Sequence, residues 1–195
     1  MVRKAVDIVL IPPEDIMDFC IKLNQEGRPQ GTLNKVNAIP HITLFMGVMD
    51  DERAIIEKLK EIAASTSPIP IELKEIVQEV RPTFTSSVMN LSKTLELRAL
   101  HDRIVEEIGP LLERDATKDH FLMNNDMIWA NPGAEWVCDF PDKGCHDQFN
   151  PHISLVCEEA KTDQLPLRGK ASTLVLAHLG SRCTCAKILF STTFK

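Results

Sequence analysis

The segment Pro40-His41-Ile42-Thr43-Leu44 returns 111 positions later as Pro151-His152-Ile153-Ser154-Leu155, with only threonine exchanged for serine. From ordinary residue usage, a chance recurrence at one of the other histidines is on the order of one in a few thousand. The repeat constrains the fold, because side chains along a strand alternate between faces. His41 and Thr43 then share one face and Ile42 and Leu44 the other, and His152 and Ser154 stand likewise against Ile153 and Leu155. Each strand offers an apolar side to a core and an imidazole beside a hydroxyl on the opposite side. Two such strands facing one another would gather two imidazoles and two hydroxyls around one cavity.

That set of groups suits phosphodiester chemistry. A neutral imidazole takes a proton from an attacking water or hydroxyl, and a protonated one delivers a proton to the leaving oxygen, since an ordinary histidine titrates near pH ~6.5. Each positioned acid or base is typically worth about 10²–10⁴-fold in rate. Thr43 and Ser154 are the candidate donors to the non-bridging phosphate oxygens. The arrangement requires neither metal nor cofactor.

The doubled His-x-Thr/Ser pattern, one copy in each half of the chain, resembles the 2H phosphoesterase superfamily, which includes 2′,5′-RNA ligase-like proteins and cyclic nucleotide phosphodiesterases. In residues the resemblance rests on positions 40–47 and 150–157, and in layout it covers the whole chain. It implies an α+β fold of two lobes, each an antiparallel sheet backed by helices, with the active site in the cleft between them. It also implies catalytic roles for His41 and His152 and phosphate contacts for Thr43 and Ser154. The expected activity is hydrolysis of a nucleoside 2′,3′-cyclic phosphate, or of a related 2′,5′ or RNA-terminal linkage. RNA ligation is the near alternative, and a nucleotide-binding module with little catalysis is the alternative from another class.

The rest of the chain reads as one bilobed domain over residues 1–195, with pseudo-repeat halves of roughly 1–94 and 95–195. Each half holds a helix, then a strand bearing the pentapeptide, then two further strands. Strands are expected at 4–11, 39–48, 71–80, 87–92, 152–157, 173–179 and 183–190, the last two forming a hairpin. Helices are expected after Pro12-Pro13, at 52–64 behind an Asp50-Asp51 cap, and at 95–113. Residues 115–150 give no clear pattern.

Composition narrows the partners. The net charge is −6, so no basic face is apparent for long duplex nucleic acid, and a nucleotide or an RNA end is the expected substrate. Without a secretory signal or an apolar run of the roughly 18–20 residues that span a bilayer, the chain reads as cytoplasmic with reduced thiols. Cys183-x-Cys185, with Cys138, Cys145 and His146, lacks the paired spacing of common zinc sites. If the first strand is regular, Phe45 shares the face of His41 and Thr43 and is the best candidate to stack a base. Trp129, Trp136, Phe140 and Phe149 are weaker candidates, better suited to packing.

Overall fold

The apolar run Lys4–Ile11 forms strand β1, whose interior is fully buried. Pro12-Pro13 ends it and helix α1 (Glu14–Glu26) follows, with Glu14 and Asp15 in its first turn, where acidic side chains favour the positive end of the helix dipole. The pentapeptide leads into β2 (Ile42–Met49). Helix α2 (Glu52–Ala64) starts where expected, with the Asp51 carboxylate accepting from the Arg53 N–H. The long hairpin β3 (Ile69–Arg81) and β4 (Phe84–Leu91) precedes α3 (Leu95–Glu107), capped by Thr94. After these come β5 (Leu112–Glu113), α4 (Ala134–Lys143), β6 (His152–Ser154), β7 (Leu167–Ala171), β8 (Thr173–Leu179) and β9 (Cys185–Thr193). The computed structural model describes residues 3–29, 31–81, 84–122 and 133–195. Trp129 and the turn residues Pro82, Asn131 and Pro132 lie outside the described residues.

The strands form two sheets, one of five in the order β5-β2-β1-β8-β9 and one of four in the order β6-β4-β3-β7. Every pairing within them is antiparallel. Helices back both sheets: α2 lies against β8 and β9, α4 against β2, and α3 reaches both β2 and β3. The fold is therefore α+β with two sheet-and-helix lobes. Neither lobe coincides with a half of the sequence, because each sheet draws strands from both ends of the chain. One core of buried side chains, including Ile8, Leu10, Ile42, Leu59, Leu73, Ile104 and Leu176, is continuous between the lobes. A small second cluster (Val9, Ile39, Val175, Ala177 and Cys185) lies on the other face of β1.

Several elements depart from the sequence expectation. The third helix stops at Glu107 rather than continuing to 113, because Gly109-Pro110 turns the chain into a 3-10 helix. The pattern of β7 was too polar to stand out, and α4 contains Pro141, which hides a ten-residue helix. Cys183 falls in a 3-10 turn between β8 and β9 and Cys185 at the buried start of β9, so the two do not lie on one regular strand. Among the described residues, no helix is long and apolar enough to cross a membrane.

Candidate active site

β2 begins at Ile42, so His41 sits on the last residue before the strand rather than within it. Its Nδ1 donates to the carbonyl of Ile39 at 2.6 Å. His152 uses the same local device, with Nδ1 donating to the carbonyl of Asn150 at 2.8 Å. Each bond fixes the ring and places the proton of the neutral form on Nδ1, leaving Nε2 as the titrating atom. Strands β2 and β6, which follow or carry the two histidines, belong to different sheets and touch where the sheets meet. The rings are close enough that positive charge on His152 disfavours charge on His41. Burial is the larger influence pushing the His41 pKa below its ordinary value; the Ile39 carbonyl opposes it, and His152 adds to it.

The strand-alternation argument holds for Thr43 and fails for Phe45. β1 and β2 pair with Val9 opposite Thr43 and Ile8 opposite Phe45, so a bulge at Leu44 interrupts the ladder. Thr43 consequently shares the face of Val9 and Asp7, whereas Phe45 falls on the face of Ile8 and Ile42. Phe45 is 4% exposed, meets Phe140 edge to face at 6.0 Å, and belongs to the main core. It lines a separate hollow of about 560 Å³ with Met46, Val105, Pro110 and His146, among others, and neither His41 nor Thr43 borders that hollow. The base-stacking expectation for Phe45 is therefore corrected: the bulge turns the ring into the core. Phe140 and Phe149 are also buried, and Trp136 packs edge-on to Phe140.

On the second sheet β6 is only three residues long, not the six expected, and pairs Val88 with Ser154 and Asn90 with His152. Ser154 is exposed, and Ile153 and Leu155 are fully buried. The alternation read from the sequence is kept here.

Two buried polar side chains that the sequence did not single out tie the motifs together. His101 on α3 is fully buried and stacks on Phe149 at 3.9 Å. Its Nδ1 donates to the Leu44 carbonyl at 2.8 Å, and its Nε2 accepts the His146 N–H at 3.0 Å. Only the neutral ring makes both bonds, and burial lowers its pKa to about 4 against the pull of the Leu44 carbonyl. Asn24 on α1 is the counterpart: its amide donates to the Leu155 carbonyl and its oxygen accepts the Leu33 N–H, both at 3.0 Å. The leucine carbonyl that closes each pentapeptide is thus held by a helix side chain, which also grips the segment leading to the other pentapeptide. This pseudo-symmetry resides in hydrogen bonds rather than in residue identity, so a search for repeats passes over it.

Asp7 is the third residue missed. It lies on β1 with no exposed surface, and its Oδ2 is 2.7 Å from Thr43 Oγ1 and 3.7 Å from His41 Nε2. Its Oδ1 is buried and has no hydrogen-bond partner. Burial raises the Asp7 pKa well above the ordinary carboxylate range, opposed by the Thr43 hydroxyl. Its signal in the sequence was a lone acid within KAVDIVLI.

Comparison with known proteins agrees with this architecture. The model of the 2′-5′ RNA ligase superfamily matches residues 22–179. Among solved structures, TT0787 of Thermus thermophilus aligns with a TM-score of 0.61 at 13% identity, covering 97% of each chain. Escherichia coli LigT complexed with NADP+ aligns with a TM-score of 0.59 at 15% identity, covering 100% of this chain and 99% of its own. LigT complexed with 3′-AMP gives 0.57 at 13% identity, with the same coverage. No curated protein sequence matches the chain.

Proposed function

We propose that this chain, which belongs to the 2′-5′ RNA ligase superfamily, is a metal-independent phosphodiesterase acting on a nucleoside 2′,3′-cyclic phosphate or a related 2′,5′ or RNA-terminal diester. The observation that carries the reading is the pair of imidazoles, each fixed through Nδ1 to the carbonyl two residues before it, at strands of two sheets that touch and near enough for the charge of one to bear on the other. A nucleotide ligand is further supported by the likeness to LigT, whose structures include complexes with 3′-AMP, ATP and NADP+.

In this reading His41 is the general base. Burial and the charge of His152 both favour its neutral form, and a base must be neutral to accept a proton. Nε2 of His41 removes the proton from a water that attacks phosphorus, while His152 delivers its Nε2 proton to the departing ribose oxygen. Thr43 and Ser154 stabilise the non-bridging oxygens as charge gathers on them. Ligation needs the same groups in the same order: the hydroxyl of a second RNA end takes the place of water, His41 removes its proton, and the ribose oxygen leaves the cyclic phosphate with the proton from His152.

Hydrolysis of a panel of 2′,3′-cyclic nucleotides in excess EDTA, by the wild type, His41→Ala and His152→Ala, tests the reading. Chelator-resistant turnover that falls about 10²–10⁴-fold in each variant is expected. Turnover unchanged in either variant overturns the two-histidine mechanism. Nucleotide binding without turnover by the wild type favours the binding module.

A further inference from the structure

A hydroxyl has a single hydrogen, and at the first motif that hydrogen has two claimants. Thr43 Oγ1 lies 2.7 Å from Asp7 Oδ2. If Asp7 is a carboxylate it can only accept, so Thr43 donates to it and turns nothing but lone pairs toward an anionic phosphate. If Asp7 is a neutral acid, the carboxyl is the donor and the threonine hydrogen is left for the phosphate. We propose that Asp7 is a positioning residue that works as a neutral acid, donating to Thr43 Oγ1 and so directing the Thr43 hydroxyl at a phosphate oxygen of the substrate. The inference deepens the proposed function, since it rests on Thr43 meeting a phosphate.

Three features of the site favour the neutral acid. Asp7 is completely buried, in register with Met46 on one side and Ala177 on the other, so an ionised carboxylate there would be shielded from water. Its Oδ1 has no hydrogen-bond partner, a tolerable state for a neutral carboxyl and a costly one for a carboxylate, which needs its lone pairs filled. Among the described residues, the titratable groups facing it are His41, from the segment before β2, and Cys185 on β9. His41 favours the neutral form, and Cys185, whose thiol burial raises to about 12, is neutral and has no cationic form, so neither supplies the positive charge that a buried carboxylate would need. The raised Asp7 pKa agrees with this arrangement. A neutral carboxyl also keeps a negative charge away from the phosphate, and from the side of His41 that must release its proton again.

The test reads Asp7 both without and with a ligand. In the infrared difference spectrum between the wild type and Asp7→Asn at pH 7, the carbonyl stretch of a neutral carboxylic acid is expected; a carboxylate band overturns the proposal. Calorimetry with inorganic phosphate at pH 7 then compares the side chains. Asp7→Ala is expected to weaken binding about tenfold, as Thr43→Ala does, and the double variant to be no weaker than Thr43→Ala alone. Asp7→Asn retains an N–H donor at the same place and is expected to recover most of that loss. Wild-type binding in Asp7→Ala overturns the proposal, as does Asp7→Asn binding no better than Asp7→Ala. Should Asp7→Ala fail to fold, the spectrum and the near-isosteric Asp7→Asn still decide. A neutral Asp7 with Asp7-dependent phosphate binding, in a protein that turns over no cyclic nucleotide, would leave this inference standing and remove the proposed reaction.

Discussion

His41 and His152 head nearly identical pentapeptides, yet they stand in unlike surroundings. His41 leads into an interior strand of the five-stranded sheet, its side chain 15% exposed, beside a buried carboxyl and a hydroxyl already engaged with that carboxyl. His152 stands on a three-residue strand at the edge of the other sheet, and the hydroxyl two residues on is exposed. The shared backbone device at Nδ1 makes the two rings alike in tautomer, so their difference lies in what faces Nε2. Divergent environments around two chemically equal groups are how a site separates an acid from a base. In the proposed mechanism the doubled motif supplies the pair, and the packing around each copy is what gives the two rings different roles.

The largest effect that would break the comparison is loss of both rings. The His41→Ala/His152→Ala double variant is expected to be little worse than the more damaged single variant, because general acid and base act in one step. Losses that multiply in full, measured as kcat/KM, would mean that the two histidines act independently.

The tie bars come next. Asn24→Ala is expected to cost about 2–4 kcal/mol at every pH, since it strands a buried carbonyl at Leu155 and an N–H at Leu33. His101 should differ by being pH-dependent. Its folded pKa of about 4 lies below the ordinary value of 6.5, so as pH falls the unfolded chain takes up the proton first. The stability His101 contributes is whole above pH 6.5 and declines as pH falls towards 4, by roughly 3 kcal/mol across that window. Urea unfolding of the wild type and His101→Gln between pH 4 and 7 checks this. Curves that stay parallel would contradict it.

The smallest effect sharpens the contrast between the hydroxyls. Thr43→Val is expected to lower kcat/KM about tenfold and Ser154→Ala only about threefold, because the Thr43 hydroxyl is held by Asp7 whereas Ser154 is exposed. The reverse order would show that the exposed hydroxyl is the better placed of the two.

Much of this organisation was legible in the chain itself. Alternation and length marked the central strands, and recurrence marked the two histidines. Local patterns could not reveal the bulge at Leu44, which depends on how β1 and β2 come into register, and one extra residue there sends Phe45 into the core. Nor could they show Asn24, His101 and Asp7 as site residues. Their importance arises from partners 131, 57 and 36 positions away in sequence, and those partners are joined only by tertiary packing. The halves at roughly 1–94 and 95–195 divide the chain and not the fold, because each sheet interleaves strands from both, a crossing that no linear reading exposes.

The division of labour between the two rings is tested most directly by varying the leaving group. Turnover of phosphodiesters with a good aryl and a poor alkyl leaving group would be compared in His41→Ala and His152→Ala. A good leaving group needs no proton, so His152→Ala should lose little on a p-nitrophenyl ester and on the order of 10²-fold or more on an alkyl ester, while His41→Ala loses heavily on both. Rescue of His41→Ala instead, or equal losses in both variants on both esters, would contradict the assignment of base to His41 and acid to His152.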